Sequence, residues 1–280
     1  MLLQRWITAA GLGGGLTAGL FAAGSAPDKS GYGLGHPVPP ALLRELSTDR
    51  PDATESPFTV DAGHAQLEMD LVNRADRTTA DGPTSGWGIA PFNLRLGVTR
   101  DFELGVFLIP YVEATDRPAG AAPATHAGSG DVTFRAKVNF RGNDGGPTAF
   151  GLIVDAKLPT ASSGLGNGVV EGAIFLPLSF ELGGGWGLGA MTGANFVQVD
   201  SGGRRCGWVN TATVGHDLTE IPAFYVELAT EVGVAAPTTT FDTGLTFKVN
   251  TNMQFDVGAQ FGLSQAADDG VVFTGLAYRF

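Results

Sequence analysis

The chain of 280 residues carries 17 Lys+Arg against 28 Asp+Glu, is 43% hydrophobic but only 16% charged, and contains 42 Gly and one Cys. The apolar content argues against a disordered chain, and a net charge of −11 leaves no basic face for a phosphate backbone, so no nucleic-acid partner is expected. No stretch reaches the roughly 18 apolar residues that a membrane helix needs.

Arg5 is the only charge in the first 27 residues, and a Gly/Ala-rich apolar run from Trp6 to Ala23 follows it, ending in Gly24-Ser25-Ala26. This layout predicts a signal peptide over residues 1–26 and export. A lone thiol, Cys206, cannot form an internal disulfide and is expected in a surface loop. Residues 27–62 are rich in Pro, Gly and Ser, lack an apolar period, and read as an extended segment.

From Gly63 onward apolar residues recur at every second position, the period of a strand. Ala65, Leu67, Met69 and Leu71 alternate with Gln66, Glu68 and Asp70. Val132, Phe134, Ala136, Val138 and Phe140 oppose Asp131, Thr133, Arg135, Lys137 and Asn139. Phe255, Val257, Ala259 and Phe261 oppose Gln254, Asp256 and Gln260. Twelve such runs are predicted, at about 63–73, 87–99, 102–112, 131–141, 149–159, 170–182, 186–199, 207–216, 223–235, 240–250, 253–263 and 271–280. Connectors alternate between long and short in the first half, with Arg74–Gly86 and Glu113–Gly130 long.

An even number of ten-residue strands with alternating loops predicts an all-β fold: a twelve-stranded antiparallel β-barrel in a bacterial outer membrane, with long loops outside and both termini toward the periplasm. Lipid leaves no edge N–H or C=O unpaired, which favours closure over an open sheet. Trp87, Trp186 and Trp208 fall at predicted strand ends, where indole rings suit the membrane interface. Pro177, in mid-strand, is the feature that fits least.

The barrel places two sets of charges inside. Glu68, Asp70, Glu227, Glu231, Asp242 and Asp256 form an expected acidic arc; Arg95, Arg135, Lys137 and Lys157 form a basic one. Opposed across a narrow lumen, they make a transverse field that screens solutes. Alternatively they are cross-strand ion pairs that fill the lumen, Arg135 or Lys137 with Asp155 being the obvious case. The charges of residues 27–62 suit either a lumenal plug or a periplasmic tether.

The segment Ser47-Thr48-Asp49-Arg50-Pro51-Asp52-Ala53-Thr54-Glu55-Ser56-Pro57-Phe58-Thr59-Val60, continuing to Gly63-His64-Ala65-Gln66-Leu67-Glu68, resembles the opening of a family of outer-membrane transporter-like proteins labelled as a putative MetA pathway of phenol degradation. Gly130-Asp131-Val132, the Lys157-Leu158-Pro159-Thr160 corner and the ending Gly275-Leu276-Ala277-Tyr278-Arg279-Phe280 are similar to it as well. The resemblance implies a barrel for passive passage or binding of small solutes, apolar or aromatic ones included. It implies no catalytic residues.

The expected partners are outer-membrane lipid, small solutes, and the barrel-assembly machinery through the strand ending at Phe280. A structural envelope barrel with a filled lumen is one alternative. A lipid-acting hydrolase is another, with His126 near Ser129 and Asp116, although nothing in the spacing fixes a nucleophile–base pair. No cofactor or metal site is expected: Asp268-Asp269 offers too few oxygens for Ca²⁺.

Overall fold

The computed structural model describes residues 27–199 and 202–280, and the expected signal peptide lies outside them. Fifteen strand segments form one antiparallel sheet: β1 (Ala65–Thr79), β2 (Gly82–Ile89), β3 (Phe92–Thr99), β4 (Phe102–Leu108), β5 (Tyr111–Asp116), β6 (Ala124–Gly128), β7 (Val132–Arg141), β8 (Thr148–Leu158), β9 (Glu171–Gly183), β10 (Trp186–Gln198), β11 (Arg204–Asp217), β12 (Pro222–Val232), β13 (Thr238–Asn250), β14 (Met253–Gly262) and β15 (Gly270–Arg279). β2 and β3 are halves of one interrupted strand, both paired with β1; β4 with β5 and β6 with β7 are two more, which gives twelve staves. The first and last strands seal the cylinder along Gln66↔Arg279 to Asp76↔Gly270.

The two-residue period separates the faces. Phe134 (52% exposed), Val154, Ile174, Leu228, Leu245, Val257 (46%) and Val272 point outward, while Glu68, Arg95, Lys137 and Gln254 are buried inside. A soluble sandwich would bury the apolar set. Here it coats the outside, as lipid requires.

The staves outrun their sequence estimates at one end. The expected long loop Arg74–Gly86 is instead a β1–β2 hairpin turning at 80–81, and Glu113–Gly130 contains β5 and β6. Consequently Trp87 and Trp208 sit within strands rather than at their ends, and Cys206 is a free, exposed residue of β11 rather than of a loop. Arg74 stacks over Trp87 at 4.8 Å and pairs with Asp76 at 2.6 Å, so the strands carry charge beyond the apolar outer band. Trp186, His216 and Phe224 cluster at the opposite end, the one where both the N-terminal segment and β15 terminate; it is called the terminal end below.

Two local irregularities shape the interior. Ala90, with a φ of +54°, and Pro91 divide β2 from β3, and the β1–β15 register shifts between Asp70 and Val72. That bulge turns Asp70 and Asn73 to the same lumenal side, where Asn73 Nδ2 donates to Asp70 Oδ2 at 2.5 Å. Pro177 remains inside β9, where the β8–β9 ladder keeps its register but has a gap between Phe150↔Leu178 and Ile153↔Phe175, and the missing N–H falls in that gap. At the terminal end the β9–β10 turn uses Gly184 and Gly185, whose φ angles of +62° and +81° suit glycine.

Candidate functional site: a lumen occupied by its own N-terminal segment

Residues 27–64 enter from the terminal end, reach into the barrel at 48–57, and return to β1. Lys29 and Arg44 anchor the start: Asp61 accepts from Lys29 Nζ at 2.9 Å, and Asp144, in the β7–β8 turn, meets Lys29 Nζ at 3.0 Å, Arg44 Nε at 2.7 Å and Arg100 Nε at 2.8 Å. Partial burial works against the Asp144 charge, but these three cations outweigh it and hold the carboxyl at about 2, below its ordinary 3.8. His64 then ties the return, its ring nitrogens lying 2.7 Å from Val38 O and 2.9 Å from Phe280 O.

Asp49 is the hub of the inner stretch. It is fully buried, and Lys137 Nζ lies 2.6 and 2.7 Å from its two oxygens, with Arg95 at 3.3 Å and Arg135 at 3.9 Å. Its N–H donates to Glu68 Oε2 at 2.8 Å. The next residue serves another part of the wall. Arg50 donates to Asp256 at 2.7 and 3.1 Å and to Asp70.

Strand register explains the Arg50 seat. Asp70, Gly275 and Asp256 are cross-strand neighbours on β1, β15 and β14. A Cβ at residue 275 would stand 2.2 Å from Arg50 Nη2, so the glycine leaves the space into which the guanidinium fits between two carboxylates. Both are held in bidentate or paired geometry, the kind that a planar guanidinium favours.

The rest of the motif is pinned in turn. Thr48 Oγ1 donates to Arg50 O at 2.7 Å, and Pro51 is buried. Asp52 is buried beside the inner wall. Ala53 N donates to Glu227 Oε2 at 2.6 Å, while the Thr54 hydroxyl donates to Glu227 and lies 2.7 Å from Thr211 Oγ1. Glu55 lies 2.6 Å from Arg135 Nη1, Ser56 Oγ lies 3.0 Å from Ser47 Oγ, and Pro57 O accepts from Asn139 at 2.9 Å.

The two expected arcs are not cleanly separated. Glu103 of β4, fully buried and not singled out from the sequence, lies between the basic residues: Arg95 binds it at 2.9 and 3.0 Å, Lys137 at 3.8 Å, and it accepts from Val60 N at 2.7 Å. Arg95 also pairs with Glu68 at 2.6 Å. The signal for Glu103 was present, since it alternates with Phe102 and Leu104 like every other inward residue. Cross-strand neutralisation is real too: Arg135 binds Asp155 twice at 2.8 Å, and Lys157 joins Asp131 at 2.8 Å and Glu171 at 2.9 Å. Glu231 accepts from Asn195 at 3.1 Å and Asp242 from Gln260 at 3.0 Å. Ion pairing is therefore extensive around Arg50, Arg95, Arg135, Lys137 and Lys157, whereas Asp52, Glu227 and Asp242 have no ion pair among the described residues.

The arrangement leaves one arc of the lumen uncharged. At the level of the motif, β9, β10 and β11 present Ser179, Gly189, Met191, Thr211 and Thr213. Cavities of about 250 Å³ and 320 Å³ lie on the terminal and far sides of the segment, both running along these strands. Elsewhere, Ser129 Oγ meets Ser162 Oγ at 3.2 Å rather than His126, which instead packs beside Gly164.

A closed, apolar-coated cylinder of twelve staves with a polar, self-occupied interior is an outer-membrane β-barrel. The chain belongs to the family described as "Putative MetA-pathway of phenol degradation", which it matches over residues 48–280. It is similar in fold to an outer membrane channel from Pseudomonas putida F1, with a TM-score of 0.59 and 13% identity over 83% of this chain and 99% of that one. KdgM porin (TM-score 0.50, 11% identity, 77% and 99% covered) and NanC porin (0.50, 10%, 74% and 98%) share the fold as well. No curated protein matches the sequence.

Proposed function

We propose that the protein is a narrow channel for passive passage or binding of small solutes, without a catalytic step. The observation that carries this reading is the division of the lumen: a pinned segment at the waist, a cavity on either side, and an uncharged arc joining their walls along β9–β11. The structural envelope reading is less favoured, because a lumen of that size would then serve no purpose. Of the charged residues expected along the pore, Asp70, Arg135, Asp155, Lys157 and Glu231 line the far cavity, while Glu68, Arg95, Lys137, Glu227, Asp242 and Asp256 line neither of the two cavities. Apolar patches inside the larger cavity, among them Phe107, Ile109, Phe175 and Met191, suit solutes with an apolar body. The family's description directs the choice toward small aromatics.

The test is twofold. Full-length protein refolded into planar bilayers should give small, discrete conductance steps. Cells whose lipopolysaccharide leaflet slows apolar entry should take up labelled phenol faster when they carry the protein; equal uptake together with silent bilayers would sink the reading. We further assign β15, whose Phe280 stands outside beside Tyr278 at 4.8 Å, as the strand recognised during membrane assembly.

A further inference from the structure

We infer that the Glu55 side chain is the septum between the two chambers, and that its displacement is the step that lets a solute cross. The inference rests on the channel reading and adds the residue that sets its size limit. Glu55 lines the 250 Å³ cavity on the terminal side and the 320 Å³ cavity on the far side. On the terminal side its companions are Thr54, Ser56 and Pro57, on the far side Ala53; the segment changes chambers at this residue.

The backbone around Glu55 has little freedom. Ala53 N and the Thr54 hydroxyl are bound to Glu227, and Thr54 also to Thr211. On the other side Ser56 N donates to Asp49 Oδ1 at 3.3 Å and Pro57 O is held by Asn139. Opening by withdrawal of the segment would break all of these together with the Asp49 and Arg50 pairings.

The side chain is held far less firmly. One carboxylate oxygen is paired with Arg135 Nη1 at 2.6 Å; the other, Oε2, is buried without a hydrogen-bond partner. Arg135 does not depend on this pairing, because Asp155 receives two of its hydrogen bonds at 2.8 Å and Phe107 lies under the guanidinium at 4.5 Å. Glu55 can therefore rotate away at the cost of one ion pair, leaving no buried cation bare. Thr211 is already taken by Thr54, so the opening that Glu55 governs lies toward β10, where Gly189 lines the terminal chamber and Met191 the far one.

The experiment is a volume series at residue 55 in the full chain, refolded and checked for an intact barrel by its heat-shifted gel mobility. Single-channel conductance should rise about twofold or more for Glu55→Gly and fall about as much for Glu55→Trp, because the narrowest lining limits conduction. Leu228→Trp, on the lipid face, should leave it unchanged. As a second readout, Glu55→Cys in a Cys206→Ser background should react with a small thiol reagent added on either side of the bilayer. Conductance indifferent to side-chain volume in a conducting wild type, or labelling from one side only, would overturn the septum and leave the channel reading standing. Silence from both wild type and Glu55→Gly would overturn both.

Discussion

Arg50 occupies the space that Gly275 lacks a side chain to fill, with Asp70 on one flank and Asp256 on the other. Gly275→Ala should expel the guanidinium, and its Cβ would also approach Met69 O at 2.3 Å. A double-mutant cycle with Arg50→Met separates the two effects. The alanine should cost appreciably less stability in the Arg50→Met background, and strict additivity in urea melts would show that Arg50 is not what the glycine accommodates.

Asp49 neutralised to Asn leaves the buried Lys137 with Glu103, 3.8 Å away, as its remaining ion-pair partner. Removing one partner of such a group costs about 3–5 kcal/mol. Because the barrel's own ladder is untouched, the loss should appear as detachment of the segment: a glutamate-specific protease should cut after Glu55 in Asp49→Asn and spare it in the parent, where Glu55 is buried. Arg135→Gln with Lys137→Gln should behave alike, with a raised conductance.

Asp144 gives the anchor an acid limit. Its folded pKa is depressed to about 2 from 3.8, so the stabilisation it supplies is complete above the unfolded value and drains away as the pH drops through the folded one. Pepsin should therefore begin to cut near Leu42–Leu43 only between about pH 4 and 2, whereas Asp144→Asn should be cut throughout that range. Identical pH profiles for the two proteins would remove Asp144 from the anchor.

Phe134→Arg and Val257→Arg place a cation against acyl chains. Near the bilayer midplane each should cost roughly 2–4 kcal/mol in refolding stability. The same change at Trp87, close to Arg74 and Asp76, should cost far less, and equal penalties at all three would contradict the placing of Trp87 beyond the apolar band.

Much of this architecture was legible because lipid and lumen make opposite demands on alternate residues. Val132 to Phe140 and Met253 to Phe261 display that contrast without interruption, and their strands lie where the period puts them. The contrast disappears where a strand leaves the membrane: beyond Leu71 the outward positions Arg74 and Asp76 are charged, so β1 looked finished at residue 73 rather than at Thr79. The bulge at Asp70 and the breaks at Ala90-Pro91 shift the alternation by one residue, which a single period cannot follow. Inward charges were readable, with Glu103 overlooked; their partners were not, since Asp49 meets Lys137 across 88 residues and Arg50 meets Asp256 across 206.

Asp49 and Arg50 are adjacent in the chain, bear opposite signs, and face different staves. The dipeptide thus behaves as a keyed connector. Turned half a revolution about its axis, or written in the reverse order, it would bring acid to Asp70 and base to Lys137, and every match would become a repulsion. The interior accepts its insert in a single polarity, and wall and insert must drift through sequence space in step.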